Sequence, residues 1–200
     1  MSELATFYLV RHGESEANAA RRFAGQSDSP LTERDRRQAE AVALELATVR
    51  FDRIVSSDLA RTRQTAEVIA RRQGLGVEVM RELREIDVGD RTGTPFDEAR
   101  GLPSWSDDGF VAWPGGETLE RVLDRVLGAI GRLTRESPGK TILVVGHGGI
   151  NRILISHFLG ILPKLDRSPA TNTNISVVVT DGERHTVQRL FASGHVPSAD

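Results

Sequence analysis

The chain has 200 residues, of which 38% are hydrophobic and 27% charged, and its formal net charge is −2. That length fits one domain able to bury a sizeable core, and a nearly balanced charge offers no global basic field for nucleic acid. No cysteine occurs, which excludes a disulfide scaffold, a cysteine nucleophile and a zinc–thiolate site. Lys140 and Lys164 are the only lysines. Arginine suits bidentate phosphate binding, although a coding bias accounts equally well for most of the excess. The N-terminus lacks the basic start and long apolar run of a secretory signal, and the apolar stretches are shorter than a bilayer span. A soluble, cytoplasmic protein without a membrane partner is therefore expected.

In chain order, ATFYLV (5–10) reads as a buried strand, broken by Arg11-His12-Gly13. The span 31–49 has helical spacing, with Thr32 as N-cap and Ala39, Val42, Ala43 and Leu46 on one face. FDRIVSS (51–57) is a strand, Asp58 a cap for the next helix, and Gly74 the stop of that helix after Gln73. GVEVM (76–80) reads as a further short strand. Residues 87–116 are rich in glycine and proline and are expected to form an irregular lid. A helix over 117–135, the strand TILVVG (141–146), a helix over 150–159 and a closing hairpin around Asp181-Gly182 follow. Alternating strands and helices predict a three-layer α/β/α sandwich over residues 1–200. Its sheet should be mostly parallel with an antiparallel edge strand.

Two segments share one design. ATFYLV-Arg11-His12-Gly13 and TILVVG-His147-Gly148 each place a histidine where a buried strand ends and a helix is about to begin. Ligands of open α/β sheets bind at the carboxyl ends of strands. If the two strands are neighbours, the histidines face each other across that crevice. The glycine after each lets backbone amides approach a ligand, and Gly148 adds a helix start suited to an anion. A lone histidine at a strand end is more often structural, but two matched ones, one beside an arginine, favour function.

The sequence resembles the histidine phosphatase superfamily, also called the phosphoglycerate mutase-like family. The resemblance rests on six blocks in order. These are Arg11-His12-Gly13-Glu14-Ser15 with Asn18; Gly25, Asp28, Pro30, Leu31 and Thr32; Ser56 to Arg61 with Thr65-Ala66; Leu83-Arg84-Glu85 with Gly89 and Gly93; Pro114-Gly115-Gly116-Glu117-Thr118; and Gly146-His147-Gly148. One tetrapeptide would be weak evidence, whereas six ordered blocks are specific. The resemblance implies a cofactor-free, metal-free site in which His12 is the nucleophile and forms a phosphohistidine. It makes Glu85 the general acid and base, with Glu82 a less well-spaced rival. Arg11, Arg61 and His147 would hold phosphoryl oxygens, Asn18 would add a hydrogen bond, and Gln26 would contact substrate.

The simpler readings stand beside these. By spacing alone, Arg61 is a solvated helix charge alongside Arg63, Arg71 and Arg72, Asn18 is a helix or turn residue, and His157, His185 and His195 are structural. Where many relatives have tryptophan and glutamate between two glycines, this chain has Asp90-Arg91-Thr92. Trp105 and Trp113 are expected to pack the lid rather than stack on substrate. A phosphatase acting on a small phosphorylated metabolite is favoured over a cofactor-dependent phosphoglycerate mutase. The mutases carry a tyrosine beside the acid and a longer basic insertion, and here Ile86-Asp87-Val88 stands there. A non-catalytic phospho-ligand or interaction module is disfavoured because all six key residues are present. A metallohydrolase is disfavoured by the lack of ligand spacing such as HxH or HExxH. A homodimer is compatible with the sequence and not required by it.

Overall fold

Strand β1 (Ala5–Arg11) lies inside a six-stranded sheet because Phe7 and Leu9 face one layer of the core while Tyr8 and Val10 face the other. The computed structural model describes residues 3–99, 105–106, 109–110, 113–166 and 168–196. The sheet order is β3 (Glu78–Val79), β2 (Arg53–Ser56), β6 (Thr141–Gly146), β1, β7 (Ile175–Thr180), β8 (His185–Ala192). Strands β3, β2, β6 and β1 run parallel, β7 runs against β1, and β8 against β7. The four parallel strands are apolar on both faces or short, as a sheet covered on both sides requires.

One layer is α2 (Glu33–Glu45) with α3 (Ala60–Gln73); Val42, Ala66 and Ile69 of these helices, with Leu46 just past α2, pack on Leu143 and Val145. The other is α4 (Leu119–Glu136) with α5 (Gly148–Phe158), covering Ile142 and Val144. Helix α4 buries Val122, Val126, Ala129, Ile130 and Leu133 along one stripe, and Thr118 caps it by accepting the Arg121 N–H at 3.3 Å. Every strand and long helix read from the sequence is present. A short helix, α1 (Glu16–Ala19), appears in addition, closed by a reciprocal capping box between Ser15 and Asn18.

Asp58 does not cap α3 as expected. Its carboxylate takes the Arg84 guanidinium in a two-pronged pair at 2.7 and 2.6 Å, and Asp28 Oδ1 instead accepts the Ala60 N–H at 2.9 Å. A bidentate charge-assisted pair outcompetes one neutral N–H for the same oxygens.

The irregular segment begins as a turn over Gly89–Arg91, then Phe96–Ala99, then a two-strand hairpin of β4 (Trp105–Ser106) and β5 (Gly109–Phe110). Residues 100–104, 107–108 and 111–112 of the lid reading lie outside the described residues, as does the side chain of Trp105. The start of the segment is tied down, because Phe23 N donates to Thr94 O and Gly93 N to Phe23 O. Asp90-Arg91-Thr92 makes a tight turn, with Asp90 N bonded to Pro114 O. Trp113 is buried, meets Phe23 edge-on at 5.3 Å and also borders the cavity described below. No helix among the described residues is long and apolar enough to cross a membrane.

Candidate active site

Strands β1 and β6 are neighbours in parallel register, with Arg11 opposite Gly146. His12 N then donates to Gly146 O at 3.0 Å, so the two chains leave the sheet side by side. Their next side chains meet: the His12 and His147 rings lie 5.2 Å apart, inclined at 64°. Both are buried, at 3% and 0% exposure.

His12 Nδ1 lies 2.5 Å from its neighbour's carbonyl, Gly13 O. A carbonyl only accepts, so Nδ1 carries the proton and Nε2 keeps its lone pair. Burial, followed by the guanidinium charges of Arg61 and Arg11, holds His12 well below the usual histidine range. Burial likewise lowers His147, with Arg61 next in effect. Two imidazoles this close under two arginines are both neutral, because each further proton would be added against fixed positive charge.

Arg61, on the first turn of α3, points back under the 25–28 loop and is 1% exposed. Its Nη1 donates to Ser27 O at 2.9 Å and its Nη2 to Gly25 O at 2.8 Å. Arg11 Nη1 donates to Ala170 O at 2.5 Å, while its buried Nε has no partner among the described residues. A buried guanidinium N–H is costly to leave unpaired, so a site with a spare donor is suited to an oxyanion. The second histidine is set by hydroxyls: Ser57 Oγ lies 2.8 Å from His147 Nε2 and 2.7 Å from Thr62 Oγ1.

Glu85 approaches from the opposite wall. Its carboxylate accepts N–H bonds from Ile86 at 3.0 Å, Gly149 at 3.1 Å and Ile150 at 3.2 Å. Two of these donors belong to the first turn of α5, whose N–H groups have no partner within the helix. The contact depends on glycine, since a Cβ on Gly149 would sit 2.6 Å from Glu85 Oε1. Gly148 does the same for Arg11, leaving its Nε only 3.2 Å from where a Cβ would be.

These groups border one cavity of about 950 Å³. Arg11, His12, Asn18, Arg61, Glu85 and Gly148 line it; His147 lies buried behind His12. Asn18 does two jobs. Its Oδ1 accepts from Ser15 N at 3.3 Å in the α1 cap, which leaves the amide nitrogen as the donor it can offer a ligand. Gln26 is not brought into the cavity. Its Nε2 donates to Glu85 O at 3.2 Å and it borders a separate hollow with Glu117 and Arg125.

Several lining residues escape the sequence reading. Phe23 and Phe96 form an aromatic wall beside Trp113, which the sequence singles out, and Arg152, Lys164 and Ala170 close the far side. Arg152 offers a signal, being the only charge in the apolar run of α5. It fastens the closing loop by bonds to the carbonyls of Asp166 and Ser168. Lys164 and Ala170 carry no local signal. Among the described residues, no group of three or more His, Asp or Glu side chains is placed to hold a metal ion.

The model of the histidine phosphatase superfamily, branch 1, matches residues 7–193. The chain is 42% identical over 164 residues to "Probable phosphoglycerate mutase GpmB" of Cronobacter sakazakii, an alignment covering 77% of this chain and 74% of that protein. Among solved structures it resembles a mycobacterial glucosyl-3-phosphoglycerate phosphatase (27% identity, TM-score 0.83, covering 95% of this chain and 100% of the other). It also resembles phosphoserine phosphatase from Entamoeba histolytica (26%, 0.85, 96% and 100%). A third likeness is to a phosphoglycerate mutase from Bacillus anthracis (25%, 0.85, 98% and 96%). By the family match over nearly its whole length, and by two neutral histidines set among arginines where parallel strands end, the chain belongs to the histidine phosphatase superfamily.

Proposed function

We propose that the protein is a phosphomonoesterase for a small phosphorylated metabolite, working through a phosphohistidine on His12 with Glu85 as general acid and base. The observation that carries this reading is the His12 ring. It is held by Gly13 O so that Nε2 is a neutral nucleophile, between two arginines at the base of an open cavity.

In the first step Nε2 attacks phosphorus, and the N–P bond forms as the ester P–O bond breaks. The Glu85 carboxyl gives its proton to the leaving oxygen, which departs as an alcohol. Arg11 and Arg61 offset charge spread over the phosphoryl oxygens, the main electrostatic demand of this transfer. Asn18 supplies a neutral donor. In the second step water attacks the phosphohistidine, Glu85 takes the water's proton, and the N–P bond breaks to release phosphate.

The names of the curated relatives favour a second reading, phosphoglycerate mutase. Ile86 and Val88, rather than a hydroxyl-bearing side chain, line the cavity beside Glu85, which supports the phosphatase. The test follows inorganic phosphate and phosphoglycerate isomers together, from phosphoglycerate and from p-nitrophenyl phosphate, with EDTA present. Stoichiometric phosphate without isomer exchange is expected. Isomer exchange outrunning phosphate release would establish the mutase, and activity lost to EDTA would sink the metal-free mechanism.

The depressed His12 value sets a pH dependence. With the native pKa below 6.5, the imidazole stays neutral and nucleophilic as pH falls through that value. The acid limb of kcat/KM should therefore lie below pH 6.5. The profile is read with p-nitrophenyl phosphate, whose own second ionisation also lies below that range. A limb centred at 6.5 or higher would show that His12 is not held neutral by its surroundings.

A further inference from the structure

The acid Glu85 sits on a segment with little regular structure, a single turn over Arg81–Leu83 followed by extended chain. Loops place side chains less accurately than helices, and a general acid displaced by about 1 Å loses much of its effect. Something must therefore hold the 82–87 segment.

The structure supplies one guanidinium for the purpose. Arg125 lies on the second turn of α4, forty positions from Glu85. Its Nη1 donates to Glu82 O and Arg84 O, both at 2.7 Å, and its Nη2 to Glu85 O at 3.0 Å. The same guanidinium is anchored on Glu117, by Nε to Oε1 at 2.6 Å and Nη2 to Oε2 at 2.7 Å. Glu117 Oε2 in turn accepts the Asp87 N–H at 2.8 Å. Two carbonyls before the acid, the acid's own carbonyl and the Asp87 N–H after it are thus held by one ion pair.

The pair is sheltered, with side-chain exposures of 18% and 16%. Burial by itself would raise the Glu117 pKa, but the Arg125 bonds and the Asp87 N–H outweigh it and lower it, so the pair is ionic. Glycine makes the approach feasible. A Cβ on Gly116 would lie 2.2 Å from Asp87 O, and one on Gly89 would lie 2.3 Å from Pro114 O. The Pro114–Glu117 turn therefore locks directly against the chain that carries the acid.

We propose that Arg125, anchored by Glu117, is a positioning residue for proton transfer by Glu85: it holds the acid's backbone from behind while touching neither substrate nor the reacting atoms. This rests on the reading of Glu85 as general acid.

The test compares kcat/KM on phenyl, nitrophenyl and dinitrophenyl phosphates, whose leaving oxygens need protonation to decreasing degree. The variants are Arg125→Ala, Arg125→Lys and Glu117→Gln, with Glu85→Gln as reference. The ratio between two esters within one preparation does not depend on how much protein is folded. A merely structural role therefore leaves the ratio unmoved even where stability falls. Arg125→Ala is expected to lower kcat/KM on phenyl phosphate about 10–100-fold more than on dinitrophenyl phosphate, a fraction of the roughly 10²–10⁴ that an acid contributes. Arg125→Lys and Glu117→Gln should fall between this variant and wild type. An unchanged ratio in all three variants, beside a steep dependence in Glu85→Gln, would overturn the positioning role. A flat dependence in Glu85→Gln itself would instead remove Glu85 as the acid.

Discussion

Replacing His12 by alanine is expected to abolish ester hydrolysis, with kcat falling on the order of 10⁵–10⁶, the scale of losing a covalent nucleophile. The case rests on position. Nδ1 is committed to Gly13 O at 2.5 Å, the ring is 3% exposed, and burial, followed by the charges of Arg61 and Arg11, keeps it uncharged. Among the described residues no other imidazole lines the cavity, and His147 is turned onto Ser57. The check is direct: p-nitrophenyl phosphate turnover with EDTA present, and a rapid alkaline quench that preserves phosphohistidine. Wild type should yield a phosphorylated peptide containing His12, and the variant none. A phosphopeptide that survives the substitution, or a loss of only a few fold, would move the nucleophile elsewhere.

Arg61 should give the second largest effect, and it tests electrostatics rather than bond making. Arg61→Ala is expected to cost about 10²–10³ in kcat/KM and to weaken inhibition by inorganic phosphate in parallel. It also leaves the carbonyls of Gly25 and Ser27 without their donors. A stability loss of about 1–3 kcal/mol per buried group should therefore accompany it in urea unfolding. Arg61→Lys should recover little, because one ammonium cannot span two carbonyls and a phosphoryl group as a planar fork does. Were stability alone to fall, with phosphate inhibition intact, Arg61 would be a loop fastener and the phosphoryl clamp would reduce to Arg11.

The two residues differ in how they could be recognised. His12 has a local signature: an apolar strand ends, a histidine and a glycine follow, and the same pattern returns at His147. Arg61 has none, since helical spacing makes it one of several surface charges. Only the match of its block to a family suggests it, and only the fold shows its side chain running inward beneath residues 25–28.

The elements themselves were legible because strands alternate or run apolar, helices repeat every three to four residues, and glycine and proline mark the joints. These are properties of neighbouring residues, so TILVVG and the apolar stripe of α4 could be located without a fold. Partner choice could not, because it is settled between residues remote in sequence. Asp58 had the right place to cap α3 and was taken by Arg84. Gln26 matched a family position, and only the fold shows its amide on the Glu85 carbonyl. Arg125, Arg152 and Ala170 had no place in any motif and hold or close the site. The sequence by itself determined the α/β class, the element order and the two strand-end histidines, since each follows from short-range pattern. Tertiary structure alone decided that β1 and β6 are adjacent, which carbonyls each guanidinium takes, and which face of each loop meets the cavity. Those choices depend on which polar groups compete for one partner once the sheet has closed, and that competition leaves no periodic mark in the chain.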